Sequence, residues 1–599
     1  MFQSFEVTSR PGDGPPRLTA LRAAMAAAGL DGFLVPRADA HQGEYVAPRD
    51  QRLAWLTGFT GSAGFAAVLA DAAGVFVDGR YKVQVRAQVD GAHFTPVDWP
   101  GTRLAGWLTE HLPEGGRVGF DPWLHSVEEI TRQGKALKAA GIELVAHENL
   151  VDAIWPGQPP APAGPIRVHP LALAGQDHEA KRRALGAELA VQGARAAVLT
   201  LPDSIAWLLN IRGSDTPRNP VPHAFAILHD SGMLDLYCAR EKLSVEVLTH
   251  LGNEVSCHPP EAFEPALEAL RGAVRIDPAS APVRVAERLA GAEILHDRDP
   301  CLLPKARKNA AEIAGMEAAH LRDAAAMCRF LCWLDQAAPG GGLSEIDVVK
   351  RLEEERRREE GLLDISFETI AGTGPNGAIV HYRVSEESNR RVTPGELLLV
   401  DSGAQYADGT TDITRTIATG PVGALERVCF TRVLQGMIAL STIRWPKGLS
   451  GRDLDPLARA PLWRAGLDYD HGTGHGVGAC LSVHEGPQRI SRISEIPLEP
   501  GMVLSNEPGY YREGAFGIRI ENLIHVIPAP ALPEADPREM LAFATLTWVP
   551  IDRRLIAVEM LGRDERDWLD RYHAECRRRV APHLDGATAR WLESATAPL

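Results

Sequence analysis

Two stretches of this chain repeat one another. LAWLTGFTGS (53–62) returns as IAWLLNIRGS (205–214), and each follows a short apolar run of strand type, GFLVP (32–36) and AAVLTLP (196–202). Each also leads into further apolar runs, AAVLADAAGVFVDGR in the first copy and AFAILHDSGMLDLYCAR in the second. A segment that recurs with its flanking elements marks a duplicated structural unit. Helical runs such as RLTALRAAMAAAGL alternate with the strands, so the first half of the chain reads as two related α/β domains. Neither copy carries a convincing cluster of metal-binding or nucleophilic side chains. Both read as scaffold and substrate-gating elements.

The repeat leaves much of the chain unexplained, and 599 residues are too many for one hydrophobic core. WPGQPPAPAGP (155–165) contains five prolines, which exclude helix and sheet interior, so it reads as an exposed linker. A softer break, HDRDPCLLPK (296–305), precedes a long helix-forming run. Ile313, Met316, His320, Met327, Leu331 and Leu334 form one apolar stripe there, and His320 is expected as a packed core histidine rather than a ligand. LSEIDVVKRLEEERRREE (343–360) starts with Ser344 and Asp347 at capping-box spacing and continues as a charged helix. Its mixed charges read as a solvated face.

Composition narrows the function. Hydrophobic residues at 45% and charged residues at 24% give the balance of a soluble globular protein. The net charge of −15 argues against nucleic acid as a partner, because phosphate binding calls for a basic surface. No segment supplies about 18 apolar residues in a row, and the N-terminus lacks a basic-then-apolar signal, so no membrane association and a cytoplasmic location are expected. Eight cysteines are scattered without a C-x-x-C, which excludes a thiolate zinc site and a thioredoxin-like motif. Cys328 and Cys332 read as small apolar fillers.

The informative residues lie in the last third. ELLLVDSGAQY (396–406) is an apolar strand ending in Asp401, and DGTTDITRTIAT (408–419) returns through an Asp-Gly turn with Asp412 on the next strand. Ionised carboxylates set among buried residues need a cation or a hydrogen-bond network. DHGTGHGVG (470–478) places His471 and His475 among glycines that rule out a helix and let imidazoles approach something closely. His484 follows in SVHEGP, and Glu507 precedes a Pro-Gly turn in SNEPGYY. GAFGIRIEN alternates, so Ile518 and Ile520 face one side while Arg519 and Glu521 face the other.

Two Asp, two Glu and one metal-type His are hard oxygen ligands with a single imidazole, which favours manganese over a thiolate-type zinc site. Four carboxylates balance two dications, and two adjacent metals can hold a bridging hydroxide that attacks a scissile carbonyl. Rival motifs fare worse. GTGPNG (372–377) matches G-x-G-x-x-G in form but leads into AIVHY, which is strand-like, so it reads as a loop rather than a dinucleotide site. H-E-x-x-H, G-x-S-x-G and P-loop motifs are absent.

These residues resemble the metallopeptidase family that includes aminopeptidase P, prolidase and methionine aminopeptidase. The resemblance rests on GTGPNGAIVHYR, VDSGAQYADGTTDITRT, HGTGHGVG, VHEGP, NEPGYY and GIRIEN, in family order. The three-part layout resembles the long cytosolic type of Xaa-Pro aminopeptidase along essentially the whole chain. That implies an α/β domain over 1–155, a second of the same fold over 166–302, and a pita-bread catalytic domain with a C-terminal extension over 303–599. It also implies that Asp401 is a bidentate ligand of one metal, that His475 and Glu507 hold the other, and that Asp412 and Glu521 bridge both. His381, His471 and His484 would handle protons and substrate, with Glu507 as proton acceptor and Arg519 as support for a ligand carboxylate. Manganese is the expected metal, with zinc and cobalt as alternatives. The implied reaction releases the N-terminal residue from peptides with proline in second position, and the implied assembly is a homodimer. A prolidase restricted to X-Pro dipeptides is the alternative enzyme, and a metal-free pita-bread binding module ranks below it because every ligand position is filled.

Overall fold

A computed structural model of the chain describes residues 1–599. They divide into two compact units, Thr8–Leu302 and Leu303–Leu599, and the second also takes in Met1–Val7.

The unit Thr8–Leu302 holds two six-stranded sheets of one design. Across the first run Thr95–Asp98, Ala73–Val77, Phe65–Leu69, Gly32–Pro36, Gly116–Phe120 and Ile142–Ala146. Across the second run Val255–His258, Leu234–Tyr237, Phe225–His229, Ala196–Leu199, Ala273–Ile276 and Glu293–His296. In both, successive neighbours pair parallel, antiparallel, antiparallel, parallel and parallel. The repeated decapeptide forms the short helix after the first strand of each copy, Arg52–Thr57 and Pro202–Leu209. Each helix ends on a left-handed residue, Gly58 at φ 88° and Asn210 at φ 50°. Glycine and asparagine are the residues that best tolerate that position, which explains why they correspond in otherwise diverged copies. Residues 155–165 form neither helix nor strand, as the prolines require.

The unit Leu303–Leu599 is built around small antiparallel sheets wrapped by long helices. One sheet orders Ile370–Thr373, Leu397–Ser402 and Ile413–Ala418, and a six-stranded one orders Arg444–Pro446, Met540–Thr545, Asn522–Pro528, Val503–Asn506, Gly474–Gly476 and Glu485–Ile490. Helix Ala310–Ala337 opens with an Asn309–Glu312 capping box. Met316, His320, Met327, Leu331 and Leu334 of its stripe are buried, and His320 hydrogen-bonds Met316 O through Nδ1 at 2.7 Å, as a packed histidine should. Phe330, Val349, Leu398 and Val400 share one core cluster, and Phe430, Met437, Ile518 and Leu569 share another.

Two expectations need correction here. The charged helix Glu345–Arg356 is solvated on one side only, at Asp347, Lys350 and Glu354. Glu345, Glu353, Glu355 and Arg356 are buried because each meets a partner: Arg356 forks onto Asp323 at 2.8 and 3.0 Å, and Arg329, Arg351 and Arg358 surround Glu355. AIVHY is not a strand either. The chain turns through a 3-10 segment, Gly374–Ala378, and Ile379 N then bonds Asn376 O at 3.1 Å. The turn is forced by close packing, since Gly377 lies against Gly517 of the Gly509–Arg512/Phe516–Arg519 hairpin.

Residues 1–7 lie on the second unit, apart from the fold of residues 8–154 that follows them. Phe2 N donates to Glu353 Oε1 at 2.8 Å, Thr369 N donates to Gln3 Oε1 at 2.8 Å, and Glu386 N donates to Phe5 O at 2.9 Å. No helix is long and apolar enough to cross a membrane.

A Cβ at Gly517 would stand 1.7 Å from Gly377 O, a backbone atom that cannot swing aside. Gly517→Ala is therefore expected to destabilise the protein by about 1–3 kcal/mol or more. An unchanged thermal midpoint would show that the turn yields without cost.

Candidate metal centre

The centre is assembled by strand register. Leu397–Ser402 is buried along its whole length and pairs antiparallel with Ile413–Ala418, Asp401 opposite Thr414. The chain crosses between them through a small hairpin in which Tyr406 faces Gly409, the Asp-Gly turn read from the sequence. Asp412 comes one residue before the second strand rather than within it. On the larger sheet Asn506 pairs with Asn522, so Glu507 and Glu521 emerge side by side just past the paired ends. Gly476 pairs with Leu504, which brings His475 alongside them. The glycines permit this approach: a Cβ at Gly474 would lie 2.0 Å from Ser505 O and one at Gly476 would lie 2.4 Å from Glu485 O.

Five side chains from five separate segments thus converge. Donor atoms of Asp401, Asp412 and Glu521 lie within 4.8 Å of one another, as do those of His475, Glu507 and Glu521, and those of Asp412, His475 and His484. His475 Nε2 is 3.4 Å from Glu507 Oε1 and 3.5 Å from Asp412 Oδ2. Bonds of about 2.1 Å to one ion bring donor atoms to about 3–4 Å from each other, so the spacing needs little change to close on cations. His475 Nδ1 bonds Gly476 O at 3.0 Å, which leaves Nε2 to face the carboxylates as a ligand nitrogen does.

The electrostatics also call for cations. Burial, then the neighbouring Asp401, drives the Asp412 carboxyl well above its usual range. Burial, then Asp412, Glu507 and Asp401, does the same to Glu521, and burial raises Glu507 against the opposing pull of His475. Asp401 Oδ1 is buried with no hydrogen-bond partner. Such an acceptor is costly unless something positive meets it, so this donor set fits divalent metal.

Hydrogen bonds brace the donors. Arg519 spans Asp401 Oδ2 at 2.5 Å, Tyr511 Oη at 2.5 Å and Thr414 Oγ1 at 3.1 Å. Burial alone would weaken the Arg519 charge, but Tyr511, Asp401, Glu507 and Glu521 around it hold the guanidinium well above its ordinary value. Thr414 Oγ1 donates to Glu521 Oε2 at 2.7 Å, and Ser505 Oγ donates to Glu507 Oε1 at 3.1 Å. His471 Nε2 shares a 2.9 Å hydrogen bond with Tyr511 Oη, and Arg459 holds the His471 carbonyl at 2.6 Å. The His484 ring stands edge-on to His475 with centroids 4.3 Å apart. His381 lies outside the three donor groups, half-buried on the turn after the 3-10 segment, where Arg519 Nη2 reaches the carbonyl of its neighbour Val380 at 3.4 Å.

Thr414, Ser505, Tyr511 and Arg459 were not singled out from the sequence. Thr414 and Ser505 each stand two residues from an expected ligand, a spacing that signals a shared strand face. Tyr511 and Arg459 carry no such mark.

A second gathering, Asp39, Asp50 and His223, occurs in the unit Thr8–Leu302. Arg52 pairs with Asp50 at 2.8 Å, the backbone N–H groups of His41 and Gly43 bind Asp39 Oδ1 at 2.9 and 3.0 Å, and His223 Nε2 lies 3.4 Å from Asp39 Oδ2, which has no hydrogen bond, so the network is compensated in part.

Such a fold and donor set define a metallopeptidase. Residues 314–528 match the model of metallopeptidase family M24, residues 17–154 and 157–312 each match a creatinase/prolidase N-terminal domain, and residues 539–599 match the C-terminal region of peptidase M24. Aminopeptidase P2 of Arabidopsis thaliana is 42% identical over 95% of this chain and 86% of its own length. A probable Xaa-Pro aminopeptidase P of Talaromyces stipitatus is 38% identical over 97% of this chain and 92% of its own. The crystal structure of an X-prolyl aminopeptidase from Caenorhabditis elegans, described as a cytosolic enzyme with a di-nuclear active site, superposes with a TM-score of 0.92 at 33% identity, covering 98% of this chain and 99% of that one. The prolidase of Thermococcus sibiricus, at 24% identity and a TM-score of 0.50, shares the fold over 63% of this chain. The chain belongs to metallopeptidase family M24, in its aminopeptidase P branch. Its architecture is two creatinase N-terminal domains followed by a pita-bread domain.

The raised carboxyls set a pH dependence for the metal-free protein. Protons bound to Asp412, Glu507 and Glu521 in the folded state are released on unfolding, so their stabilisation is present at low pH and is lost as pH rises through the raised values. The thermal midpoint of chelated protein is expected to fall as pH goes from about 5 to about 8, and more steeply than that of metal-loaded protein. Parallel curves would contradict this reading.

Proposed function

We propose that this protein is a metal-dependent aminopeptidase that releases the N-terminal residue from peptides whose second residue is proline. The observation that carries the proposal is the convergence of Asp401, Asp412, His475, Glu507 and Glu521 in a chain whose full length resembles X-prolyl aminopeptidases. Asp401 would chelate one divalent ion, His475 and Glu507 the other, and Asp412 and Glu521 would bridge the two. Manganese suits four carboxylates and one imidazole, with zinc or cobalt as substitutes. When bound, two such ions supply an ionised water at neutral pH and polarise the scissile carbonyl.

The chain's own groups do the rest. Glu507, as a carboxylate beside the site, would accept the proton of the attacking water. His484, edge-on to His475, and His381 donate hydrogen bonds to the peptide carbonyl as negative charge develops on its oxygen. His471, tied through Tyr511 to Arg519, handles protons and substrate at the edge of the site. Arg519 holds Asp401 in its orientation. A dedicated enzyme suits proline, which fixes φ and lacks the N–H that ordinary peptidases use to hold the backbone.

Substrate length separates the main rival. An X-Pro dipeptidase is disfavoured by likeness to aminopeptidases P over 95% and 97% of the chain, and comparison of X-Pro with X-Pro-Y peptides tests it. We assign domain limits of 1–155, with residues 1–7 joining the second unit, 166–302 and 303–599, a cytoplasmic location and a homodimer. The location is supported by the cytosolic C. elegans neighbour, and the dimer is tested by sedimentation.

Chelation is expected to abolish N-terminal release measured by mass spectrometry, and manganese to restore it more fully than magnesium. Asp412→Ala and Glu521→Ala should each lose bound metal along with turnover, and full occupancy by elemental analysis would remove the bridging role. His484→Ala is expected to keep its metal and lose kcat by roughly 100-fold, as for one missing transition-state donor. An unchanged kcat would take His484 out of the reaction.

A further inference from the structure

Glu485 follows His484 directly, is fully buried, and has no part in the donor set. Two ammonium groups meet its carboxylate. Lys305 Nζ lies 3.1 Å from Oε1 and Lys308 Nζ bonds Oε2, and both lysine side chains are 1% exposed. A buried ion triplet is weak evidence for stability, since apolar residues of the same volume usually serve as well, so its presence beside the centre points to another use.

Its surroundings say what that use is. Lys305 sits on the helix Leu302–Ala306, and Lys308 is fixed just beyond it by its N–H to Gly501 O at 3.0 Å. From this base the lysines aim Glu485 under the glycine-rich loop. A Cβ at Gly478 would stand 3.0 Å from Glu485 Oε1. The backbone of Glu485 pairs with Gly476, whose neighbour is His475, and Gly478 N bonds Ser482 O at 2.9 Å to close the loop between the two imidazoles. One carboxylate therefore touches the loop of His475 and is bonded in sequence to His484, whose rings stand at 84° to each other.

We propose that Glu485, clamped by Lys305 and Lys308, is a positioning residue that sets the mutual orientation of His475 and His484. The inference rests on the aminopeptidase reading, in which His475 binds metal and His484 meets the carbonyl oxygen. A clamp of two cations on one anion tolerates loss of one cation without stranding a charge, so Lys308→Met is the informative variant: Lys305 and Glu485 remain as a neutral pair. Glu485→Gln would instead leave two ammonium groups buried without an anion.

The test is steady-state kinetics of Lys308→Met on an X-Pro-Y peptide at saturating manganese, with elemental analysis and a thermal midpoint on the same preparation. The clamp predicts metal content equal to wild type, KM within about twofold and kcat down roughly 10-fold or more, since misplacing a catalytic group by an ångström can cost up to about 100-fold. Lys308→Arg, which restores the cation, should recover kcat to within about threefold of wild type. A wild-type kcat in Lys308→Met, a loss that merely tracks lost metal or lost folded protein, or no recovery with arginine would overturn the proposal. Should Lys308→Met fail to fold, Glu485→Asp keeps the charge and withdraws it by one methylene. The same kcat loss with metal retained is expected, and unchanged kcat overturns the clamp. An inactive wild type would instead count against the aminopeptidase reading, whereas an active wild type matched by Lys308→Met sinks the clamp alone.

Discussion

Four carboxylates share one buried space in this protein, and much of the second unit is arranged to hold them there. Asp412, Glu507 and Glu521, crowded together beside Asp401, would be driven to take up protons if nothing positive lay between them. Strand pairing supplies the geometry, glycines supply the close approach, and the threonine, serine and arginine bonds fix the directions of Glu521, Glu507 and Asp401. On the proposed reading, divalent cations would relieve that crowding of acids, and a pair of them would supply the ionised water that hydrolysis needs.

A second layer of charge lies behind the first. Arg519 ties Asp401 to Tyr511 and His471, and the two-lysine grip on Glu485 backs the segment that carries His484. These groups need not touch substrate. Their cost in desolvation is high, and it is met because each is paired. The duplicated N-terminal sheets carry no comparable chemistry. Their one gathering of donor groups is compensated in part by Arg52 and by backbone N–H groups.

Legibility in the sequence followed the physics of each signal. The duplication was plain because the segment 53–62 recurs at 205–214 with its flanking strands, and the five candidate donors stood out because four acids and a histidine set among apolar or glycine-rich residues are anomalous. What could not be read depended on partners distant in the chain. The charges of Glu345–Arg356 looked solvated because Asp323 and Arg329, which receive Arg356 and Glu355, sit on another helix. AIVHY looked like a strand because its contact with Gly517 lies 140 residues away, and the anchoring of residues 1–7 on Thr369 and Glu386 has no local signature at all. The proximity of Asp401 to Asp412 was an inference until the register placed Asp401 opposite Thr414.

The proposed chemistry needs a pair of cations seated among these acids. Diffraction from manganese-soaked crystals, recorded at the manganese absorption edge, reads their positions directly. Two anomalous peaks a few ångströms apart are predicted, one against Asp401 and one against His475 and Glu507, with Asp412 and Glu521 between them. A single peak, or peaks away from these side chains, would contradict it.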